Sequence, residues 1–357
     1  MPDHEYCNAR LRAMRSRLLG RAELVALCQV GSVPGLLAAL AGTAYRQAVQ
    51  AAMLRGSGME CLTEALRRDM VEVFSRLRRF CGGTELRLVA TVWRAHDVHN
   101  LKAILGGLAK RAPPEEITAA LLPAGELSAA TLAELARAAN LGAALDMLGG
   151  ANPPIAQALA RLEPWQRLDT TELDLALDRW HARQARWDLA DWPEGRDVLA
   201  AAADIEADLA NLLTVLRLAA ARAGDPARRG QPGRASAARL FRGSGRLRFE
   251  LLQAVAEQNT LVGAIQVLAG TAYYVPLQAG LAAYSRSGRL GDIERQLRLY
   301  RLHWLAGLAV RDPLGPGMLL AYLALKTSEV SNLRWVAEGI SLGLAPQAIG
   351  EELELAA

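Results

Sequence analysis

The chain has 357 residues, 52% of them apolar, and a formal charge of +4. That is long enough for a substantial core, and too weakly and evenly basic to mark a nucleic-acid binder. Arginine supplies nearly all the positive charge, lysine standing only at Lys102, Lys110 and Lys326. A palette led by Ala, Leu and Arg loses little side-chain entropy in helices, and alternating β-branched runs are nearly absent, so an all-α fold is predicted.

The opening MPDHEYCNARLRAMRSR is charged where a signal peptide needs an apolar run, so an unprocessed cytoplasmic chain is expected. Its helix carries Arg10, Arg12, Arg15, Arg17 and Arg21. These form either a solvated face or a contact for lipid headgroups or acidic partner loops. Cys7, Cys28, Cys61 and Cys81 all fall early, at spacings that match no paired zinc knuckle, and read as buried free thiols. LAGTAY at 40–45 ends a helix, its Gly expected in the left-handed region, and LTEALRRD from Leu62 reads as a helix start. Next comes HDVHNLKAIL. His96 and Asp97 form an HD doublet that could open a metal-dependent hydrolase, but too few further histidines follow, and their repeat counterparts are not histidine.

LGGAN at 148–152 echoes the glycine turn, and TTELDLALDRW from Thr170 starts another helix in a stretch that gathers Trp165, Trp180, Trp187 and Trp192. A Gly/Pro-rich, basic insertion spans 222–246, crowded by Arg228, Arg229, Arg234, Arg239, Arg242, Arg246 and Arg248. From Gln258 to Ser285 no residue is charged, a length that could span a bilayer. Asn259, Gln266, Gly270, Pro276 and Gln278 interrupt it, so a buried helix–turn–helix is predicted instead. Inside it LAGTAY returns at 268–273, and GDIERQLRLY follows from Gly291.

One phrase organises these elements. An acid, two spacers and Asn recur as Glu5/Asn8, Asp97/Asn100, Asp208/Asn211 and Glu329/Asn332. The second and fourth copies align without a gap: Leu101 with Leu333, Lys102 with Arg334, Ile104 with Val336, Gly107 with Gly339, Pro114 with Pro346 and Ile117 with Ile349. Arg10 keeps the base in the first copy, whereas Leu213 replaces it in the third. Such periodicity predicts homologous helical units at 1–95, 96–207 and 208–328, the last holding the insertion, with a closing helix at 329–357. Acid and Asn three apart share a helix face. The pair either pins one unit to its neighbour, the reading adopted, or forms a repeated docking surface for a partner. No P-loop, GxSxG or HExxH motif occurs.

The opening YCNARLRAM, the DVHNLKAIL phrase and the terminal SEVSNLRWVAEGI resemble the C subunit of the V/A-type rotary ATPases, whose eukaryotic equivalent is the d subunit. The resemblance spans essentially the whole chain, departing at Leu213, at Arg12 and in the insertion. It implies a funnel of three helical units around a pseudo-threefold axis with a central cavity. It also implies a rotor adaptor, one copy per complex, that joins the central-stalk subunits to the membrane proteolipid ring and transmits torque. Such an adaptor is cytoplasmic and peripheral to the membrane, and has no catalytic site, cofactor, metal or nucleic-acid partner. The alternative is a free-standing helical repeat scaffold that binds peptides.

Overall fold

The computed structural model describes residues 4–121, 125–160, 170–190, 195–224, 241 and 243–356. Every regular element among them is an α-helix. The amino-terminal series is α1 (His4–Arg15), α2 (Arg21–Leu27), α3 (Val33–Leu40), α4 (Arg46–Met53) and α5 (Gly58–Phe80). The middle series is α6 (Gly83–Ala109), α7 (Pro114–Ala119), α8 (Ala129–Ala136), α9 (Leu141–Ala151), α10 (Pro153–Ala160) and α11 (Thr170–Ala190). Then come α12 (Arg196–Gly224), α13 (Phe249–Ala256), α14 (Leu261–Val267), α15 (Tyr274–Ser287) and α16 (Gly291–Ala306). The chain closes with α17 (Leu308–Arg311), α18 (Gly317–Ser341) and α19 (Pro346–Glu351).

The chain divides into two compact units, Met1–Cys7 with Tyr45–Pro193, and Asn8–Ala44 with Glu194–Ala357. In the first, α6 lies along α11, and α4 along α5. Val98, Leu101, Ile104 and Leu105 make one apolar stripe on α6, packed with Leu132, Leu145, Leu148, Leu173 and Leu177. In the second, Ile205, Leu209, Leu212 and Leu216 of α12 pack with Leu252, Val255, Leu261 and Leu277. There too α18 touches α2, α3, α16, α17 and α19.

The same local devices recur along the chain. Helix pairs begin at 21 and 33, at 129 and 141, and at 249 and 261. The second helix of each pair is capped alike: Ser32, Asn140 and Thr260 accept from the backbone N–H of Gly35, Ala143 and Gly263. After α6 and α18 the turn is also shared. Arg111 at φ 57° and Gly343 at φ 69° take the left-handed conformation. Ala112 and Leu344 donate back to the carbonyls of Gly107 and Gly339. A Cβ on Gly107 would lie 2.5 Å from Ile117, and one on Gly339 would lie 2.7 Å from Ile349. Close approach of the following short helix therefore explains the aligned Gly and Ile.

Some of the turn and helix-start expectations need correction. Of the turn glycines, Gly270 is left-handed at φ 87°, but Gly42 is not, and α9 runs through Gly149 and Gly150 to Ala151. What the two LAGTAY copies share is a hydroxyl bond, Thr43 to the Leu40 carbonyl (2.7 Å) and Thr271 to that of Leu268 (2.8 Å). LTEALRRD starts no helix, because α5 begins at Gly58 and Thr63 already bonds back to the Met59 carbonyl. The boundaries at 95/96, 207/208 and 328/329 each fall inside a long helix, α6, α12 and α18. The uncharged stretch 258–285 forms α14, a turn and α15, with Leu261, Ala264, Ile265 and Leu277 buried. No helix among the described residues is long and apolar enough to cross a membrane.

Candidate functional site

Three long helices, α6, α12 and α18, each carry an acid and an Asn one turn apart, and all six side chains are buried: Asp97, Asn100, Asp208, Asn211, Glu329 and Asn332. Burying a carboxylate without partners is costly. The partners here are backbone amides. Asp97 accepts from the N–H groups of Glu126 (2.7 Å) and Leu127 (3.1 Å). Asp208 accepts from Arg246 and Leu247, both at 3.1 Å, and from the Tyr273 hydroxyl at 2.8 Å. Glu329 accepts from the N–H of Leu19 and pairs with buried Lys326 at 2.7 Å.

These amides occupy one structural position. Leu127, Leu247 and Leu19 each stand immediately before an N-cap: Ser128 of α8, Arg248 of α13 and Gly20 of α2. The acid of a long helix thus holds the entrance of a short one, where backbone donors lack intrahelical acceptors. Two glycines make room for the contact. A Cβ on Gly125 would lie 1.9 Å from Asp97 Oδ1, and one on Gly245 would lie 2.0 Å from Asp208 Oδ1. The sequence reading missed both, because Gly125-Glu-Leu127 and Gly245-Arg-Leu247 share only their Gly and Leu.

The asparagines hold main chain as well. Asn211 donates to the Gly243 carbonyl (2.8 Å), and Asn332 both donates to and accepts from the backbone of Glu354, each at 2.8 Å. Asn8 is buried and donates to the carbonyls of Leu314 (2.7 Å) and Gly315 (3.3 Å). Its acid partner Glu5, by contrast, is exposed, so the first copy repeats the phrase without the buried carboxylate. Among the bases, Lys102 bonds Asp178 of α11 at 2.6 Å, Arg334 is half-buried and Arg10 is exposed. The wider set Arg12, Arg15, Arg17 and Arg21 is exposed too, Arg12 donating to the Pro313 carbonyl.

Electrostatically, burial dominates two of the acids. It raises Asp97 to about 6 against the opposing pull of its two amide bonds, and it raises Asp208 against the bonds from Leu247, Tyr273 and Arg246. Asp97 is committed to backbone and His96 stacks edge-on to Phe74, centroids 5.5 Å apart, so the HD doublet is not assembled as a ligand pair. Among the described residues no three His, Cys, Asp or Glu side chains converge as a metal site. All four cysteines are buried free thiols. Trp180 is buried and Trp187 is 77% exposed, whereas Trp165, Trp192 and most of the insertion (225–240 and 242) lie outside the described residues.

The acids and amides thus lie on buried faces and bond to helix entrances and loops. The family model "ATP synthase (C/AC39) subunit" matches residues 7–352. The C subunit of the A-type ATP synthase of Haloferax volcanii is 29% identical over 98% of this chain and 97% of its own. That of Halobacterium salinarum is 30% identical over the same shares. The C subunit of the V-type ATP synthase of Deinococcus radiodurans is 28% identical over 52% of this chain and 53% of its own. With a family model running nearly end to end, the chain belongs to the ATP synthase (C/AC39) subunit family.

Proposed function

We propose that this protein is a non-catalytic rotor adaptor of an A/V-type ATP synthase, coupling the central stalk to the membrane proteolipid ring. The observation that carries the reading is the repeated joint: three long helices, each locked through a buried carboxylate to the entrance of a short helix. An element that passes torque must return strain rather than absorb it. Buried, fully bonded polar groups resist sliding because any slip strands them without partners. The relatives named as C subunits of A-type ATP synthases, aligned over nearly all of the chain, support the same assignment.

In this role the partners are other subunits of one complex, with one adaptor per rotor, on the cytoplasmic side of the membrane and peripheral to it. The exposed arginines of the first helix are suited to anionic headgroups or acidic partner loops. In this reading three copies of the recurrent helix series surround a common axis. The copies are the units read from the sequence, 1–95, 96–207 and 208–328, with the closing helix at 329–357.

The test is recovery of partners. A tagged chain, extracted with its membranes in mild detergent, is expected to bring down both the proteolipid and the stalk subunits, while the purified chain alone hydrolyses no ATP. Recovery of neither partner from an otherwise intact, ATP-hydrolysing complex defeats the assignment.

A further inference from the structure

The repeated joints leave one buried polar cluster unused. Cys7 on α1 and Cys81, the residue that ends α5, bring their Sγ atoms to 2.8 Å although they stand 74 positions apart. Both residues belong to the same compact unit. They are 2% and 4% exposed. A bonded sulfur pair sits at about 2.05 Å, so closure takes a sulfur shift of roughly 0.8 Å. We propose that Cys7 and Cys81 are a redox-modification site, a dithiol that a hydroperoxide converts to a reversible disulfide.

The surroundings determine how the pair reacts. The neighbouring Cys7 thiol, burial and the charge of Glu85, itself buried at the start of α6, push the Cys81 thiol up. At neutral pH it is therefore held as the thiol, a weak nucleophile, so its oxidation runs through the small thiolate fraction and is slow. A hydroperoxide is small, and once it oxidises either sulfur the other is already in place. One thiol and hydrogen peroxide give a sulfenic acid and water. The second sulfur then displaces the sulfenic oxygen, which leaves as a second water. The S–S bond forms, the O–O bond and two S–H bonds break, and two electrons pass from the thiols to the peroxide. A thiol reductant reverses the reaction through a mixed disulfide. Closure would clamp the start of α1 to the α5–α6 turn and close a long loop in the unfolded chain, which raises stability. In a reducing compartment such a bond is a transient, stress-dependent state.

The experiment oxidises the folded, fully reduced protein with hydrogen peroxide and reads its mass under denaturing, non-reducing conditions. The expected product has lost two hydrogens and yields one peptide linking Cys7 to Cys81. It melts several degrees above the reduced form and returns to it with dithiothreitol. Cys7→Ala and Cys81→Ala, each checked for native helicity, are expected to abolish the two-hydrogen loss, while the Cys28→Ser, Cys61→Ser double variant retains it. Should a single-cysteine variant fail to fold, the wild-type peptide map decides alone. Mass gain by oxygen addition without a linked peptide, a link through Cys28 or Cys61, or unchanged mass overturns the proposal.

Discussion

A carboxylate answered by backbone N–H groups has a different energetic character from one answered by an arginine. Glu64 illustrates the second kind. Arg67 bonds it at 2.6 Å and Arg68 at 2.5 Å, and these partners hold its carboxyl down to about 2. Its stabilisation is present above about pH 4.5 and is lost as pH falls toward 2. Asp97 runs the other way. With its carboxyl raised to about 6, the folded state holds the proton more tightly than the unfolded chain. Stability from this group is therefore full below about pH 4 and is lost as pH rises through 6, on the order of 3 kcal/mol at roughly 1.36 kcal/mol per unit. Urea melts of the wild type and Asp97→Asn at pH 4 and pH 7 test this: the variant should lose that part of the pH dependence, and an unaltered slope refutes it. Gly125→Ala should cost about 1–3 kcal/mol by overpacking against Asp97. In the Asp97→Ala background the added methyl meets no carboxylate, so the two changes should be clearly less than additive in a double-mutant cycle.

At the scale of elements, the aligned copies provide their own controls. Arg111 and Gly343 occupy equivalent left-handed positions, yet only glycine takes that conformation without Cβ strain. Arg111→Gly should raise stability by about 0.5–1 kcal/mol, and Gly343→Ala should lower it by about 1 kcal/mol, both read by thermal or urea unfolding. If the two shifts share a sign, the equivalence of the turns fails. The sequence revealed these copies because Gly and Ile must stay in register when a short helix packs on a glycine, as Ile117 does on Gly107 and Ile349 on Gly339. It concealed the acceptor geometry. The amides taken by Asp97 and Asp208 lie in loops whose only common letters are Gly and Leu, too little to stand out in a Leu-rich chain. Nor could letters distinguish Glu5, exposed, from Glu329, buried, since the phrase is alike and only the surrounding packing differs. Thr63 misled for a related reason: its hydroxyl bonds within a helix as readily as it caps one.

For the molecule as a whole, the carboxyl-terminal tail is tied down by its main chain. The Glu354 carbonyl accepts from Ser328 and Asn332, the Leu355 carbonyl meets the His303 ring at 3.0 Å, and Arg295 gathers the carbonyls of Glu351 and Leu353. Removing residues 352–357 strands buried Asn332 without those bonds. The loss should be about 1–3 kcal/mol or more, visible as a lowered melting temperature with helicity retained. An unchanged melting temperature would show that the tail merely rests on the surface.

The three carboxylate contacts also differ in timing. Asp97 takes amides 29 and 30 positions downstream and Asp208 takes amides 38 and 39 downstream, so both can close while the ribosome is still working. Glu329 reaches back 310 positions to Leu19. That closure must wait until residue 329 has been made, so the entrance to α2 lacks this contact while the intervening residues are synthesised. A product that ends before Glu329 therefore leaves the Leu19 amide without this carboxylate partner.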